Sequence, residues 1–576
     1  MQRIALAELR DTIAGLPERL RTGARVAQQT GLLFAITRPG LRAAASALGG
    51  TPNPSQIFKV HAANSPDKPA ILWRDRSLTF GQVVERMNRV GAALQRRGFT
   101  RNTSVVLMMK NRPEFIELQG GAGLIGAAGV SISWRSTPTE LVYLANHCGA
   151  KAVVFEADLW PVVQQARKDI RGVADADYIA IGGDPATTPP GCTHYEEDFL
   201  APPSVAPRVH AGDEEEAAVV IYTSGTTGKP KGAVRKFPKD AVYAFLRFIA
   251  ETPMRTDDVH LVTCPLYHST AFGFMSMAGL LGATTVLMDE FKPEAFLEHV
   301  ERFGVTTTAL VPTMLHRVLA LGPEVLARYD TRSLRVIFAG GAPLPGPLAI
   351  QAMDHFGDVL FNFSGATETG LVTLAKPDDL RAAPWTIGKP VPGNEIRLLD
   401  DDGREVPTGQ VGELFTRNKM LVAGYHHDPE STRASMRDGF FSVGDLARVD
   451  RDGRYFIEGR KRDMIISGGV NVYPAEVEAA LEAHPDVAEV AVIGAPDPEW
   501  GERVRAFVVK RPGRDALDEG ALKAWCRERL AGPKVPRDYV FLEGLPRNPT
   551  GKVLKRELRG LSLSPGDDGT AHAPGQ

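Results

Sequence analysis

The sequence predicts an α/β protein: a large N-terminal domain of several subdomains on layered, largely parallel sheets, followed by a small α+β C-terminal domain. Three observations carry that expectation. From Pro54 onward, short apolar runs alternate with helical stretches, the pattern of strands buried on both faces between helices. Near residue 461 this gives way to a strand, a short helix and two longer strands. And 576 residues are too many for one hydrophobic core.

Residues 1–50 hold seven Arg against three acids, with apolar residues at helical spacing (Ile4, Leu6, Leu9, Ile13, Leu16). They read as one or two helices packed on the main body. The alternative is a basic amphipathic helix lying on a membrane, against which Pro17 and Pro39 interrupt the pattern. The segment holds none of the motifs below, so it is expected to be dispensable for chemistry. Buried strands are expected at Val105–Met109, Ala152–Phe155, His260–Thr263, Thr284–Met288, Ala309–Val311 and Val336–Phe338. The apolar stretch Leu118–Ile132 is broken by five glycines and reads as a tightly packed helix leading into a strand. Residues 182–211, rich in Pro, Gly and Thr, read as a surface connection. In the second unit, a strand at Met464–Ile466 precedes a helix opened by Pro474, with Glu476 and Glu478 in its first turns. Strands Val487–Ile493 and Val504–Val509 follow, and residues 561–576 read as a disordered tail. The expected divisions are therefore 1–50, 51–460, 461–560 and 561–576.

Apolar residues make up 43 % and charged residues 24 %, with a formal net charge of −2. No global field favours nucleic acid, and none is expected as a partner. Cys148, Cys192, Cys264 and Cys526 are scattered without metal-ligand spacing, which suits a reducing, cytoplasmic setting. No apolar run reaches the roughly 20 residues of a spanning helix, so membrane contact would be peripheral, at the inner face.

The strongest chemical signal is Thr223-Ser224-Gly225-Thr226-Thr227-Gly228-Lys229-Pro230-Lys231-Gly232, which follows a strand-like run at Ala217–Tyr222. Its glycines permit a tight turn that exposes backbone N–H groups, and its hydroxyls and lysines add donors and positive charge. Such a loop suits nucleotide phosphates. It is not a Walker loop, because Pro230 stands where the second Gly of that spacing belongs.

This loop resembles the phosphate loop of the adenylate-forming superfamily, which includes acyl-coenzyme A synthetases, luciferases and the adenylation domains of peptide synthetases. The resemblance covers roughly residues 55–560, and further motifs recur in the family's order. Ser364-Gly365-Ala366-Thr367-Glu368 is similar to the family's nucleotide and magnesium motif. The resemblance puts Thr367 on the α-phosphate and has Glu368 hold Mg²⁺ together with Thr223. The family usually has an aromatic residue flanking adenine where Ser364 stands; neighbouring Phe363 is a partial substitute, and Asn362 belongs to the same segment. Gly340-Gly341-Ala342-Pro343 is similar to the turn that lies along adenine and lines the acyl pocket. Asp445, in Ser442-Val-Gly-Asp445, matches the ribose acceptor, and Arg460 adds a ribose or phosphate contact. Lys552, in Arg547-Asn-Pro-Thr-Gly-Lys552, matches the catalytic lysine that bridges carboxylate and α-phosphate. Pro265-Leu-Tyr-His268-Ser269 is similar to the motif before the acyl pocket. There His268 would sit by the carboxylate or gate the coenzyme A tunnel. Amino-acid-activating relatives carry an Asp where Ser269 stands. Phe272, Gly273, Phe274, Val311 and Thr313 are expected to line the acyl site.

The implied reaction joins a fatty acid or other apolar carboxylic acid to coenzyme A at the expense of ATP, through an acyl-adenylate. In the family the C-terminal domain is mobile. Here it would turn about Arg462, withdrawing Lys552 and bringing Ser467-Gly468-Gly469 to the coenzyme A tunnel. Two other functions remain open: an acyl-adenylate ligase that loads a carrier protein, and a lipid-uptake or membrane-associated protein with weak catalysis. The acyl chain is left open, from medium to very long chains or a sterol side chain.

Overall fold

The structure, a computed structural model, describes residues 17–49, 55–200, 206–209, 219–223, 231–235, 239–422, 424–425, 428–467, 470–547 and 552–561. Residues 224–230 of the phosphate loop, Gly468 and Gly469, the pattern expected over residues 1–16 and the tail after Leu561 lie outside the described residues.

The chain opens on helix α1 (Glu18–Gln29), a four-residue turn at Leu32–Ala35 and the helix Arg38–Gly49. Helix α1 packs on the body. Val26 is 1 % exposed and shares a core with Phe248, Phe274, Phe338 and Phe363. The Gln29 amide donates to Thr252 O (2.7 Å), and Thr256 N–H donates to Thr30 O (3.0 Å). No helix among the described residues is long and apolar enough to cross a membrane.

Two large sheets follow. One has the order Gly424–Tyr425, Lys231–Arg235, β1 (Val219–Thr223), Ala128–Ile132, Ser104–Met108, Ala150–Glu156, Tyr178–Ile181, Thr193–His194. Every pairing from β1 to Thr193–His194 is parallel. Ser104–Met108 and Ala128–Ile132 are buried at all five positions, which is why they read as unbroken apolar runs rather than alternating ones. The expected helix-to-strand stretch is the helix Pro113–Leu124 followed by Ala128–Ile132.

The second large sheet is parallel through its centre. Helix α2 (Ser269–Leu281) follows the strand Val259–Val262, and helix α3 (Pro312–Leu319) follows Thr307–Leu310. Next come β2 (Val336–Ala339) and β3 (Leu360–Ala366). These four strands are neighbours, in the order β3, β2, Thr307–Leu310, Val259–Val262. Pro312 opens α3, where its missing N–H costs nothing.

An antiparallel sheet includes β4 (Asp445–Val449) and β5 (Tyr455–Arg460), which face each other with Asp445 opposite Arg460. A single 3₁₀ turn, Lys461–Asp463, leads into the small C-terminal domain. Its sheet holds β6 (Ile465–Ser467), Val470–Val472, Gly501–Lys510, β7 (Val487–Asp497) and Asp538–Phe541. Helix α4 (Pro474–Glu482), opened by Pro474 as expected, packs Val477 and Leu481 against that sheet. Helix α5 (Lys555–Gly560) closes the described chain.

One expectation is corrected here. The connection after Gly182 is not merely superficial. It contains the strand Thr193–His194 and a π-helical turn, Tyr195–Phe199, whose aromatic rings are fully buried and stacked at 5.7 Å. The Tyr195 hydroxyl donates to Glu117 (2.9 Å). Tertiary packing of two aromatic residues outweighs the local Pro and Gly content.

Candidate active site

In parallel α/β sheets, ligands bind beyond the carboxyl ends of the strands. Four neighbouring strands of the second sheet end in the predicted segments. Val259–Val262 leads to His268, Thr307–Leu310 to Val311 and Thr313, β2 to Gly340–Pro343, and β3 to Thr367 and Glu368. In the first sheet, β1 ends at Thr223, where the predicted phosphate loop begins. Within the second sheet, residues as far apart in sequence as His268 and Glu368 are thus delivered to one edge by topology alone.

Contacts across that edge join the motifs. Ser269 Oγ and Thr367 Oγ1 are 3.1 Å apart. Gly341 has φ +78°, and a Cβ there would lie 3.6 Å from both Thr270 Oγ1 and Val311 Cγ1. Those contacts are ordinary van der Waals distances, so what a side chain at 341 would meet is backbone strain, and the glycine serves conformation rather than room. Glu368, 9 % exposed, accepts a hydrogen bond from the Tyr425 hydroxyl at 3.1 Å. Tyr425 lies on the strand paired to Ala233 and Val234, next to Gly232, which faces Tyr222 of β1. It therefore links Glu368 to the sheet whose strand β1 leads into the predicted phosphate loop. Burial and the Glu368 carboxylate push its phenol up, so it stays a donor. Tyr425 was not anticipated, and no local pattern marks it.

The His268 ring lies tilted at 50° against Tyr267, with ring centroids 4.2 Å apart. Its Nε2 is buried with no hydrogen-bond partner among the described residues. Burial pushes the imidazole down to about 4, leaving it neutral near pH 7. Phe272 is partly buried against the adjoining core, Thr313 is half-buried, and Gly273 faces open space.

Two aromatic assignments change. Phe274 is 1 % exposed and stacks on Phe338 at 4.4 Å. It belongs to the core behind the site, not to an open pocket wall. Phe363 points into the same core, 4.8 Å from Phe274. Neighbouring residues of a strand face opposite sides, so Phe363 does not stand in for the aromatic missing at half-buried Ser364. It supports Gly340 from beneath instead: a Cβ on Gly340 would meet its ring at 2.5 Å. The Asn362 amide donates to Thr386 O (2.8 Å), tying β3 to the next loop.

On the far side of the cleft, Arg460 Nε pairs with Asp445 Oδ1 at 3.1 Å. Lys552 enters from the small domain. Burial first, then the charges of Arg460 and Arg462, push its amine down to about 8, while Asp445 and Asp463 oppose the fall. The structure thus brings Lys552 within electrostatic reach of Asp445, with Arg462 in the connecting turn. Ser467 is buried at the end of β6, 3 % exposed. A separate cavity of about 870 Å³ is lined by Lys110, Arg112, Glu156, Asp289 and others. It contains none of these residues and mixes both signs of charge.

Layered parallel sheets with a small antiparallel-rich C-terminal domain, and a cleft edged by these motifs, define an adenylate-forming enzyme. Residues 58–426 match the AMP-binding enzyme family, residues 476–552 match the AMP-binding enzyme C-terminal domain, and the chain belongs to this family, in its acyl-CoA synthetase branch. It is 32 % identical to a fatty acid–[acyl-carrier-protein] ligase of Streptomyces coeruleorubidus, over 88 % of this chain and 95 % of that one. It is 33 % identical to an indoleacetate–CoA ligase of Aromatoleum aromaticum, over 88 % and 98 %. A long-chain-fatty-acid–CoA ligase of Mycobacterium tuberculosis is 32 % identical, over 84 % and 93 %. Among solved structures, an anthranilate CoA ligase in complex with anthranoyl-AMP superposes with TM-score 0.80 at 27 % identity, covering 90 % of this chain and 98 % of that one.

Proposed function

We propose that the protein activates a fatty acid as its acyl-adenylate and transfers the acyl group to coenzyme A, releasing AMP and pyrophosphate. What supports this reading is the electrostatic reach of Lys552 to Asp445 and Arg460, the latter also felt by Tyr425, whose hydroxyl donates to Glu368 just beyond β3. A carboxylate and ATP are both anions, so the barrier to their meeting is largely electrostatic. Lys552 contributes positive charge at the α-phosphate, and the phosphate loop from Thr223 to Lys231 cradles the β- and γ-phosphates. Thr367 orients the α-phosphate, and Asp445 with Arg460 holds the ribose. Neutral His268 meets the carboxylate without a competing charge. Glu368 and Thr223 are oxygen donors of the kind a hard cation takes, and Mg²⁺ held there would offset phosphate charge. In the second step the small domain turns about Arg462 and removes Lys552. Ser467, Gly468 and Gly469 then border the path of the pantetheine arm.

The apolar residues Phe272 and Val311 and the open space at Gly273 favour an apolar acid. Ser269 leaves no carboxylate for an α-amine. A second reading, delivery to a carrier protein, is favoured by the Streptomyces relative's activity. The test is acid-dependent pyrophosphate release across medium, long and aromatic acids, then thioester formation with coenzyme A alone. Fatty acids should lead, and free coenzyme A should suffice. Turnover only with a carrier protein would replace the acceptor, and preference for aromatic acids would replace the substrate. Lys552→Ala should lower adenylation about 10²–10³-fold yet leave conversion of supplied acyl-adenylate to thioester near the wild-type rate.

A further inference from the structure

The Lys552 hairpin is closed at its neck by an antiparallel bridge between Arg547 and Val553, and by Leu554 N–H donating to Pro546 O at 2.8 Å. Each limb is then tied to the scaffold by an ion pair. On the entering limb, Arg547 Nη2 donates to Glu489 Oε2 of β7 at 3.0 Å. On the leaving limb, Lys555 Nζ donates to Glu478 Oε1 of α4 at 2.7 Å. Glu478 Oε1 also accepts Val492 N–H at 2.8 Å, so this carboxylate is locked between α4 and β7. All four side chains are between 21 % and 27 % exposed, well short of the open surface where ion pairs contribute little.

A restraint here has a physical reason. Lys552 is held in a water-poor cleft facing two other cations, Arg460 and Arg462, with Asp445 and Asp463 opposing them. Before a nucleotide arrives, both desolvation and like-charge repulsion favour the lysine swinging out to water. Anchoring both flanks of Lys552 leaves it less room to pivot than anchoring one would.

We propose that Glu489 and Glu478 are positioning residues for the adenylation step: they clamp both limbs of the hairpin and hold the Lys552 ammonium in the cleft against the repulsion of Arg460 and Arg462. This rests on the adenylation reading above. The pairs lie within the small domain, so the clamp travels with it and matters only while Lys552 faces the cleft.

The test uses the full chain with Glu489→Gln, Glu478→Gln and the double variant, each checked for an unchanged thermal melt. Adenylation, followed as acid-dependent pyrophosphate exchange, should lose about tenfold in kcat in each single variant and on the order of 10²-fold in the double. KM for ATP should hold, and supplied acyl-adenylate should still be converted to thioester at the wild-type rate. Glu489→Asp should recover part of the Glu489→Gln loss. A second readout needs no turnover: acetylation of Lys552 across pH, read by mass spectrometry. Its titration should move from near 8 in the wild type toward the ordinary lysine value of about 10.4 in the double variant. Equal losses in both half-reactions with an unmoved titration would reduce the carboxylates to scaffold and overturn the proposal, as would an unchanged adenylation rate. If the wild type shows no acid-dependent exchange, the functional reading fails, and the titration still decides the clamp. Should the double variant fail to fold, the two single variants decide it by the same readouts.

Discussion

At the scale of single residues, Lys552 sets the pH behaviour expected of the first half-reaction. Its amine is pushed down to about 8 by burial and by Arg460 and Arg462. The proposed role needs the protonated form, which is complete below that value and lost above it. kcat/KM for ATP in pyrophosphate exchange should therefore be flat toward neutral pH and fall as pH rises through about 8, because it reports the free enzyme. In the bound complex the phosphates favour the ammonium, so the corresponding limb of kcat should lie higher. A kcat/KM profile with no loss between pH 7.5 and 9.5 would remove Lys552 from the role. Following exchange rather than thioester formation keeps the ionisation of the coenzyme A thiol out of the profile. The candidate residues can be picked out of the sequence because they sit in short runs whose composition is chemical: Thr367 and Glu368, the Gly340 turn, Lys552, and the loop after Tyr222, of which residues 224–230 lie outside the described residues. Tyr425 and Glu489 could not. Each acts through one partner, Glu368 or Arg547, that only folding brings near. Phe363 and Phe274 were misplaced for a related reason: an aromatic residue beside a site motif serves equally as wall or as core, and facing decides which.

At the scale of elements, the parallel strands were legible because burial on both faces leaves unbroken apolar runs, as at Ser104–Met108 and Ala128–Ile132. Tyr195–Phe199 was not, since its Pro- and Gly-rich surroundings mask two buried rings. Helix α1 shows the limit of motif-based reasoning. It carries no motif, yet Val26 completes the core that holds Phe274, Phe338 and Phe363 beneath the Gly340 turn. Burial of one such aliphatic side chain is worth about 2 kcal/mol, and the hydrogen bonds of Gln29 and Thr30 to residues 252 and 256 add to it. Removing residues 1–49 should accordingly lower the melting temperature by several degrees and depress adenylation of short and long acids alike. An unchanged melt with full activity toward a soluble short acid would show that α1 merely rests on the body.

At the scale of the whole molecule, two domains meet through the single turn Lys461–Asp463. Proline fixes φ near −65°, close to the value of a 3₁₀ turn. Arg462→Pro should therefore hold the arrangement seen here, with Lys552 in the cleft. Adenylation should persist while thioester formation from supplied acyl-adenylate falls at least about tenfold; equal rates in both steps would argue against rotation about this turn. The gathering of Lys552, Arg460 and Arg462 around Asp445 has a consequence for the order of events. Three cations there face Asp445 and the separate Asp463, so on the proposed chemistry closure should be weak until a ligand adds negative charge. A triphosphate reverses the balance, which makes ATP the ligand that draws the domains together. Pyrophosphate then leaves with most of that negative charge, and the repulsion returns. On the proposed chemistry, the departing product is thus the clock: its exit loosens the small domain at the moment the adenylate is ready for the thiol.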